Sequence, residues 1–491
     1  MILPAGMLGA HIPRMTKSFL QVSALVVALV LPVAAQTTAI RNVSVVDVET
    51  GRLISGQTVV ITGNRISRMG PASGVVVESA ARTIDGTGKF LIPGLWDMHV
   101  HAATPWFGAY FMPLLVAHGV TGVREMFSTT TAVDIWRKRI ASGESVGPRV
   151  GQFGSLVDGT PPIWPGSVVA STADDGRRIV DSLKAAGVEF VKVYSRLSPE
   201  TFRAIAARSK ETRISFAGHI PNLVSAREAA SLGQRTVEHL TQVLLACSTR
   251  EDEFLDQSRR AVASAKGWDS AGVVSRGRVE ALVASYDARR CEQVADAFKA
   301  AGTVMVPTTT VLRSIANLDD PTLGADPRLK YIPAFMKDGW DPKKDFRFSM
   351  LKPADWALRK VLHARELEVL RLLQRRGVKI LAGTDLANPF IFAGASLHDE
   401  LGLLVSIGMT PLQALQSATI EPARFLGLAD SLGSVGTGRV ADLVLLSANP
   451  LIAIGNVAKI DVVIANGRVF DAAARQALLK AAEALAARPP S

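Results

Sequence analysis

The sequence predicts an α/β chain: a (β/α)8 TIM barrel with a discontinuous small β-sandwich domain built from both chain ends. Three observations predict it. Eight strand candidates alternate with helical patterns through the middle of the chain. Short alternating strands with turn punctuation recur at the two ends. Four histidines and one aspartate fall at the carboxyl ends of strand candidates, where the residues of a barrel's mouth converge.

At 491 residues the chain exceeds one small core, so more than one domain is expected. Hydrophobic content of 48% and charged content of 20% are globular. The formal charge is +11, yet no run of five basic residues occurs and no aromatics interleave with them. That pattern excludes a nucleic-acid groove and leaves solubility, with weak attraction to anionic substrates, as the reading of the charge. At the start, Arg14 and Lys17 precede an apolar stretch from Phe19 to Leu31, and small residues Val33 and Ala35 follow. Residues 1–35 therefore read as a secretory signal peptide, with translation starting at Met1 or Met15 and a retained anchor as the alternative. The expected mature protein is exported to the periplasm or secreted, has no stable membrane span, and is a monomer or an oligomer. Cys247 and Cys291 are the only cysteines. In an oxidising compartment they can bridge the ends of one insertion, or they are two independent buried thiols.

The elements follow in order. "AIRNVSVVDVETG" and "QTVVITGNRISRMGP" alternate apolar and polar residues and break at Gly, Asn and Pro. "GTGRVADLVLLSANP" and "KIDVVIANGRVFD" repeat that style near the other end. Residues 36–90 and 427–475 are thus expected to form one composite β domain, 91–426 the barrel, and 476–491 a terminal helix and tail. The barrel-strand candidates are Leu91–Val100, Thr121–Met126, Pro148–Phe153, Phe190–Tyr194, Ile214–His219, Thr236–Leu240, Thr303–Thr309 and Lys379–Thr384. Between them lie helical patterns, of which "ALRKVLHARELEVLRLLQRRG" has the clearest three-to-four spacing. No glycine-rich phosphate turn follows the first strand, which disfavours a doubly wound sheet. Insertions at 241–278 and 313–353 follow the sixth and seventh candidates. The second carries Tyr331, Phe335, Trp340, Phe346 and Phe348, and reads either as a substrate lid or as an excursion packed by its own aromatics.

"LIPGLWDMHVH" ends with His99 and His101 one residue apart, so both imidazoles leave the strand on one side. His219 ends the fifth candidate, His239 the sixth, and Asp385 the eighth. Neutral imidazoles with a carboxylate are first-row metal ligands, and zinc favours the mixture. Lys192 sits inside the fourth candidate between two valines. It either pairs with an acid in the barrel or takes up CO2 to become a carbamate, a carboxylate on a long arm. Tyr194 either offers a hydroxyl near the site or packs within the strand, and Asp97 faces the same side as His99.

"PGLWDMHVH", a lysine on strand four, histidines on strands five and six, and "GTD" on strand eight resemble the amidohydrolase superfamily. The likeness covers nearly the whole mature chain and is nearest the imidazolonepropionase-like and prolidase-like branch. The resemblance implies a binuclear site with two divalent metal ions, zinc being favoured. His99, His101 and Asp385 would hold one ion, His219 and His239 the other, and a CO2-derived carbamate on Lys192 would bridge them with a hydroxide. Asp385 would act as catalytic base and then acid. The chain departs from dipeptidase-like relatives in two places. Leu240 follows the strand-six histidine with no tyrosine soon after, and the loop after strand three, "GQFGSLVDGTPPIWPG", carries no histidine.

His118, His363, His398 and Glu400 read as helix residues, and no G-x-S-x-G elbow supports a serine nucleophile. The expected function is an exported metal-dependent hydrolase cleaving a C–N bond in a peptide-like or N-acyl amino acid small molecule. A cyclic amide, lactone or ester hydrolase is the alternative on the same site, and a non-catalytic metal-binding barrel is the other.

Overall fold

The computed structural model describes residues 37–264 and 276–488. The expected signal peptide, part of the 241–278 insertion and the last residues of the tail lie outside them. No helix among the described residues is long and apolar enough to cross a membrane.

Two sheets organise the molecule. The smaller uses both chain ends. Thr37–Val46, Leu53–Thr62, Arg65–Pro71, Arg82–Asp85 and Phe90–Pro93 join Leu443–Leu446, Ile460–Ala465 and Arg468–Phe470 in one mixed, eight-stranded sheet. It branches at Thr37–Val46, which pairs with three other strands. The alternation read from the sequence buries Ile40, Val59, Ile61, Leu443, Leu445 and Ile464 in one core shared by both ends.

The larger sheet is the barrel. Its strands one to seven are Leu95–Val100, Val120–Glu125, Arg149–Asp158, Phe190–Val193, Ser215–Gly218, Thr236–Glu238 and Val304–Val306, all parallel and paired in that order. The eighth is an extended segment that closes the ring through bridges at Met305–Ile380 and Val100–Leu386. Leu381 N donates to Met305 O and Met98 N to Ala382 O, both at 2.9 Å. Gly383 lets this segment press inward, since a Cβ there would lie 2.8 Å from Val306 and 3.0 Å from the His99 nitrogen.

The single strand expected over Leu91–Val100 is two strands. Phe90–Pro93 pairs with the small sheet, and the barrel begins after Gly94, whose nitrogen donates to Asp442 O at 2.8 Å. Glycine is required at the junction, since a Cβ at Gly94 would collide with Thr121 Oγ1. Helices between strands carry the expected caps. Ser198 accepts from Thr201 N with Pro199 in the first turn, and Thr172 with Asp175 forms a capping box. The terminal helix spans Ala472–Ala486, starting at the Asp471 cap, and Arg475 Nε ties it to Ala117 O at 2.9 Å.

Cys247 and Cys291 form a disulfide, joining the short helix Val243–Ala246 to the helix Ala288–Ala301. The 313–353 insertion folds as a helix end, two 3-10 turns and the helix Ala334–Gly339. Trp340 packs 5.3 Å from Phe390, so the insertion rests on the loop that follows Asp385. Trp340 and Phe348 pack inward, while Phe335 and Phe346 are exposed and Phe346 meets Trp164 at 5.7 Å.

Candidate active site

The four strand-end histidines and Asp385 meet at the barrel's carboxyl-end mouth. His99 Nε2 lies 3.3 Å and His101 Nε2 3.0 Å from Asp385 Oδ1, and His239 Nε2 is 3.8 Å from Oδ2. The His239 ring is 4.6 Å from His99 and 4.9 Å from His219, centroid to centroid. His239 and Asp385 have left-handed φ of 58° and 60°. Such bends are unfavourable for non-glycine residues. Here they turn the chain at the strand end and bring these side chains into the mouth.

Lys192 lies in the same interior, 1% exposed, and its amine forms no hydrogen bond or ion pair among the described residues. Burial pulls the ammonium down to about 8, against the opposing pull of Glu238 and Asp385. Gly218 (φ 131°) leaves room for the lysine shaft, because a Cβ there would sit 2.8 Å from Lys192 Cδ.

A layer of buried polar groups supports these residues. Glu238 Oε2 pairs with His99 Nδ1 at 2.7 Å. Its other oxygen takes the Arg124 guanidinium at 2.8 Å and the Thr236 hydroxyl. Arg124 is fully buried, donates also to Met98 O, and stacks near Phe190 and Phe425. A charge so enclosed needs this full set of partners. Glu125 accepts from Ala102 N and Ala103 N and faces His101 Nδ1 at 3.7 Å. Thr308 Oγ1 meets His239 Nδ1 at 2.6 Å, and Glu400 accepts from Thr309 N and Thr310 N beside it. Ser195 Oγ meets His219 Nδ1 at 2.9 Å.

None of Arg124, Glu125, Glu238 or Thr308 stands out in the sequence as a site residue. The signal for three of them was there: Arg124, Glu125 and Glu238 are charges inside strand candidates. Asp97 is buried beneath the cluster and accepts from His99 N at 3.2 Å. It accepts from Thr384 N and Oγ1 at 3.0 and 2.6 Å and so ties strand eight to strand one, while burial pushes it up to about 7. Tyr194 stacks its ring 4.0 Å from His219, and its hydroxyl accepts from Trp164 Nε1 at 2.8 Å. Glu400 caps the helix after strand seven, and His398 bonds the carbonyl of His118.

The electrostatics favour a bound cation. Burial, then the neighbouring His239 and Lys192, hold His219 well below its ordinary range. Burial likewise brings His239 to about 3. Both are neutral imidazoles with a lone pair to give. Burial pushes Asp385 up, but His239, His99 and His101 hold it well below the usual carboxylate range. His101 is lifted to about 9 by Asp385 and Glu125 against its burial, so a cation here would take the place of its proton. The ligand atoms of His99, His239 and Asp385 all lie within 4.8 Å of one another. His99 Nε2 is buried without a hydrogen-bond partner. An orphaned lone pair facing a carboxylate fits a metal ion.

Residues 283–470 match the family model described as "Amidohydrolase family". An imidazolonepropionase of Pseudomonas putida (strain GB-1) is 25% identical over 404 residues, covering 80% of this chain and 87% of that protein. An adenine deaminase of Mesorhizobium japonicum is 31% identical over 85 residues, covering 17% of this chain and 14% of its own length. Among solved structures, a bottromycin amidohydrolase superposes with TM-score 0.70 at 23% identity, covering 92% of this chain and 91% of its own. A Xaa-Pro dipeptidase does so with TM-score 0.63 at 19% identity, covering 89% and 100%.

Proposed function

We propose that the chain, which matches the amidohydrolase family model over residues 283–470 and resembles an imidazolonepropionase along most of its length, is a hydrolase of carbon–nitrogen bonds that cleaves an amide in a peptide-like or N-acyl amino acid substrate at a binuclear metal site. The convergence of His99, His239 and Asp385 within 4.8 Å carries this reading. In it, His99, His101 and Asp385 would hold one divalent ion, His219 and His239 would hold the second, and Lys192, as a carbamate, would supply a further carboxylate to the site. Burial of Lys192 and its lowered range support the carbamate, since the neutral amine is the form that adds CO2. Two divalent ions, zinc being favoured by this donor set, supply charge that acidifies a water and polarises a carbonyl.

The chain's own groups do the rest. Glu238 and Thr308 orient His99 and His239 from behind. Asp385 is ionised and accepts the proton of the attacking water, then delivers it to the departing nitrogen. Asp97 fixes the loop that carries Asp385 through Thr384. We also place the protein in an oxidising compartment, a reading that the Cys247–Cys291 bridge supports.

The test is amine release by zinc-loaded protein across dipeptides and N-acyl amino acids, beside Asp385→Asn. Loss of turnover by on the order of 10²–10⁴-fold in the variant is expected. Unchanged turnover refutes the role of Asp385. Silence of the parent protein across the panel shifts the reading to cyclic amides and lactones.

A further inference from the structure

The mouth above the imidazoles is framed by a collar. Phe127, just past strand two, stands edge-on to His101 at 6.4 Å. A Cβ on Gly166 would lie 3.8 Å from Phe127 Cζ, which places the loop after strand three beside that ring. The same loop brings Trp164, whose indole bonds the Tyr194 hydroxyl over His219. Phe346, from the 313–353 insertion, meets Trp164 at 5.7 Å. Arg347 lies 5.4 Å from the Trp164 ring and donates to Asn388 Oδ1 at 3.2 Å. Asn388 Nδ2 in turn donates to Asp385 O at 3.1 Å. The collar thus runs from His101 round to Asp385.

Its rings are aromatic, and its one guanidinium, Arg347, is paired with Asp345. The Trp164 loop is held firmly, because Asp158 accepts from Gly159 N, Ile163 N and Arg196 N at 2.9, 3.0 and 2.7 Å. Phe346 is 57% exposed, an aromatic ring left in water at the entrance of a site. Asp345 grips Arg347 through Nε at 3.0 Å and Nη2 at 2.6 Å, so the pair carries no net charge and an anion would compete with Asp345. Rings set edge to face offer an incoming ring the same geometry.

We propose that this collar is the specificity pocket for a large, uncharged, apolar group, an aryl or bulky aliphatic side chain or acyl group, on the amide substrate. This rests on the amide hydrolysis proposed above. The test is calorimetric binding of uncleavable N-methylsulfonyl derivatives of phenylalanine, leucine, glycine and aspartate to the zinc-loaded protein, repeated with Phe346→Ala and Trp164→Ala. The phenylalanine compound is expected to bind at least about tenfold more tightly than the glycine and aspartate compounds. Each variant is expected to lower the phenylalanine-to-glycine ratio. Aspartate binding as tightly as phenylalanine, or a ratio unchanged in both variants, overturns the proposal. A phenylalanine preference in a protein that cleaves no amide supports the collar and overturns the amide reading instead.

Discussion

Which nitrogen of His99 and of His239 carries the proton is decided outside the cluster. A hydroxyl has one hydrogen, and that of Thr308 donates to Pro307 O at 2.7 Å. It can therefore only accept at His239 Nδ1, which leaves His239 Nε2 with its lone pair turned toward Asp385. Glu238 does the same for His99 through Nδ1. Thr308 is itself held in a left-handed conformation, φ 48°, while Glu400 takes the two amides that follow. Thr308 is a positioning residue. Thr308→Val keeps the branched shape and removes the acceptor, and should weaken zinc binding by about 10–100-fold in chelator competition. Thr308→Ser should restore it, with the metal-free melting temperature of both variants near the parent's. Equal zinc affinity in the valine variant would show that the hydroxyl positions nothing.

At the scale of the element, the strands of the small sheet were legible from alternation punctuated by turn residues, and the barrel strands, buried on both faces, from short apolar runs between helical patterns. The histidines were legible because they sit where strands end. The supporting layer was hidden because its pairs are remote: Arg124 and Glu238 are 114 residues apart, and Thr308 and His239 are 69 apart. Alternation also misleads at the ends. Glu238 and His239 are neighbours and should face opposite ways, yet the left-handed bend at His239 brings both toward the site. The split of strand one at Gly94 was invisible for a related reason, since an unbroken apolar run does not show where the chain changes sheets. Strands four and five yield a prediction. At Gly218 a Cβ would fall 2.3 Å from the Val193 carbonyl oxygen, a backbone atom that cannot turn aside. Gly218→Ala should cost ~1–3 kcal/mol in urea denaturation and displace the Lys192 shaft. A variant as stable as the parent would mean that the two strands slide apart freely.

Across the whole molecule, the two sheets share one short hinge of chain. Phe90–Pro93 pairs with Leu443–Leu446 in the small sheet, and Leu95 opens the barrel two residues later, its nitrogen bonded to Gly119 O. Both chain ends build the small core together, where Ile40, Val59 and Ile61 pack with Leu443, Leu445 and Ile464. The terminal helix adds a further tie through Arg475, which bonds Ala117 O beside the barrel. Small sheet and barrel should therefore unfold as one unit. The sequence supplies a reporter, because all seven tryptophans lie between Trp96 and Trp356 in the chain, and the six among the described residues fall outside the strands of the small sheet. Leu445 is buried against Leu91 and Val462 on neighbouring strands, far in sequence from every tryptophan. Leu445→Ala should destabilise by about 2–5 kcal/mol and shift the tryptophan-fluorescence transition in urea as far as the transition seen by circular dichroism. A fluorescence midpoint that stays at the parent's value while the dichroism midpoint falls would show that the barrel stands without the sheet its two ends build.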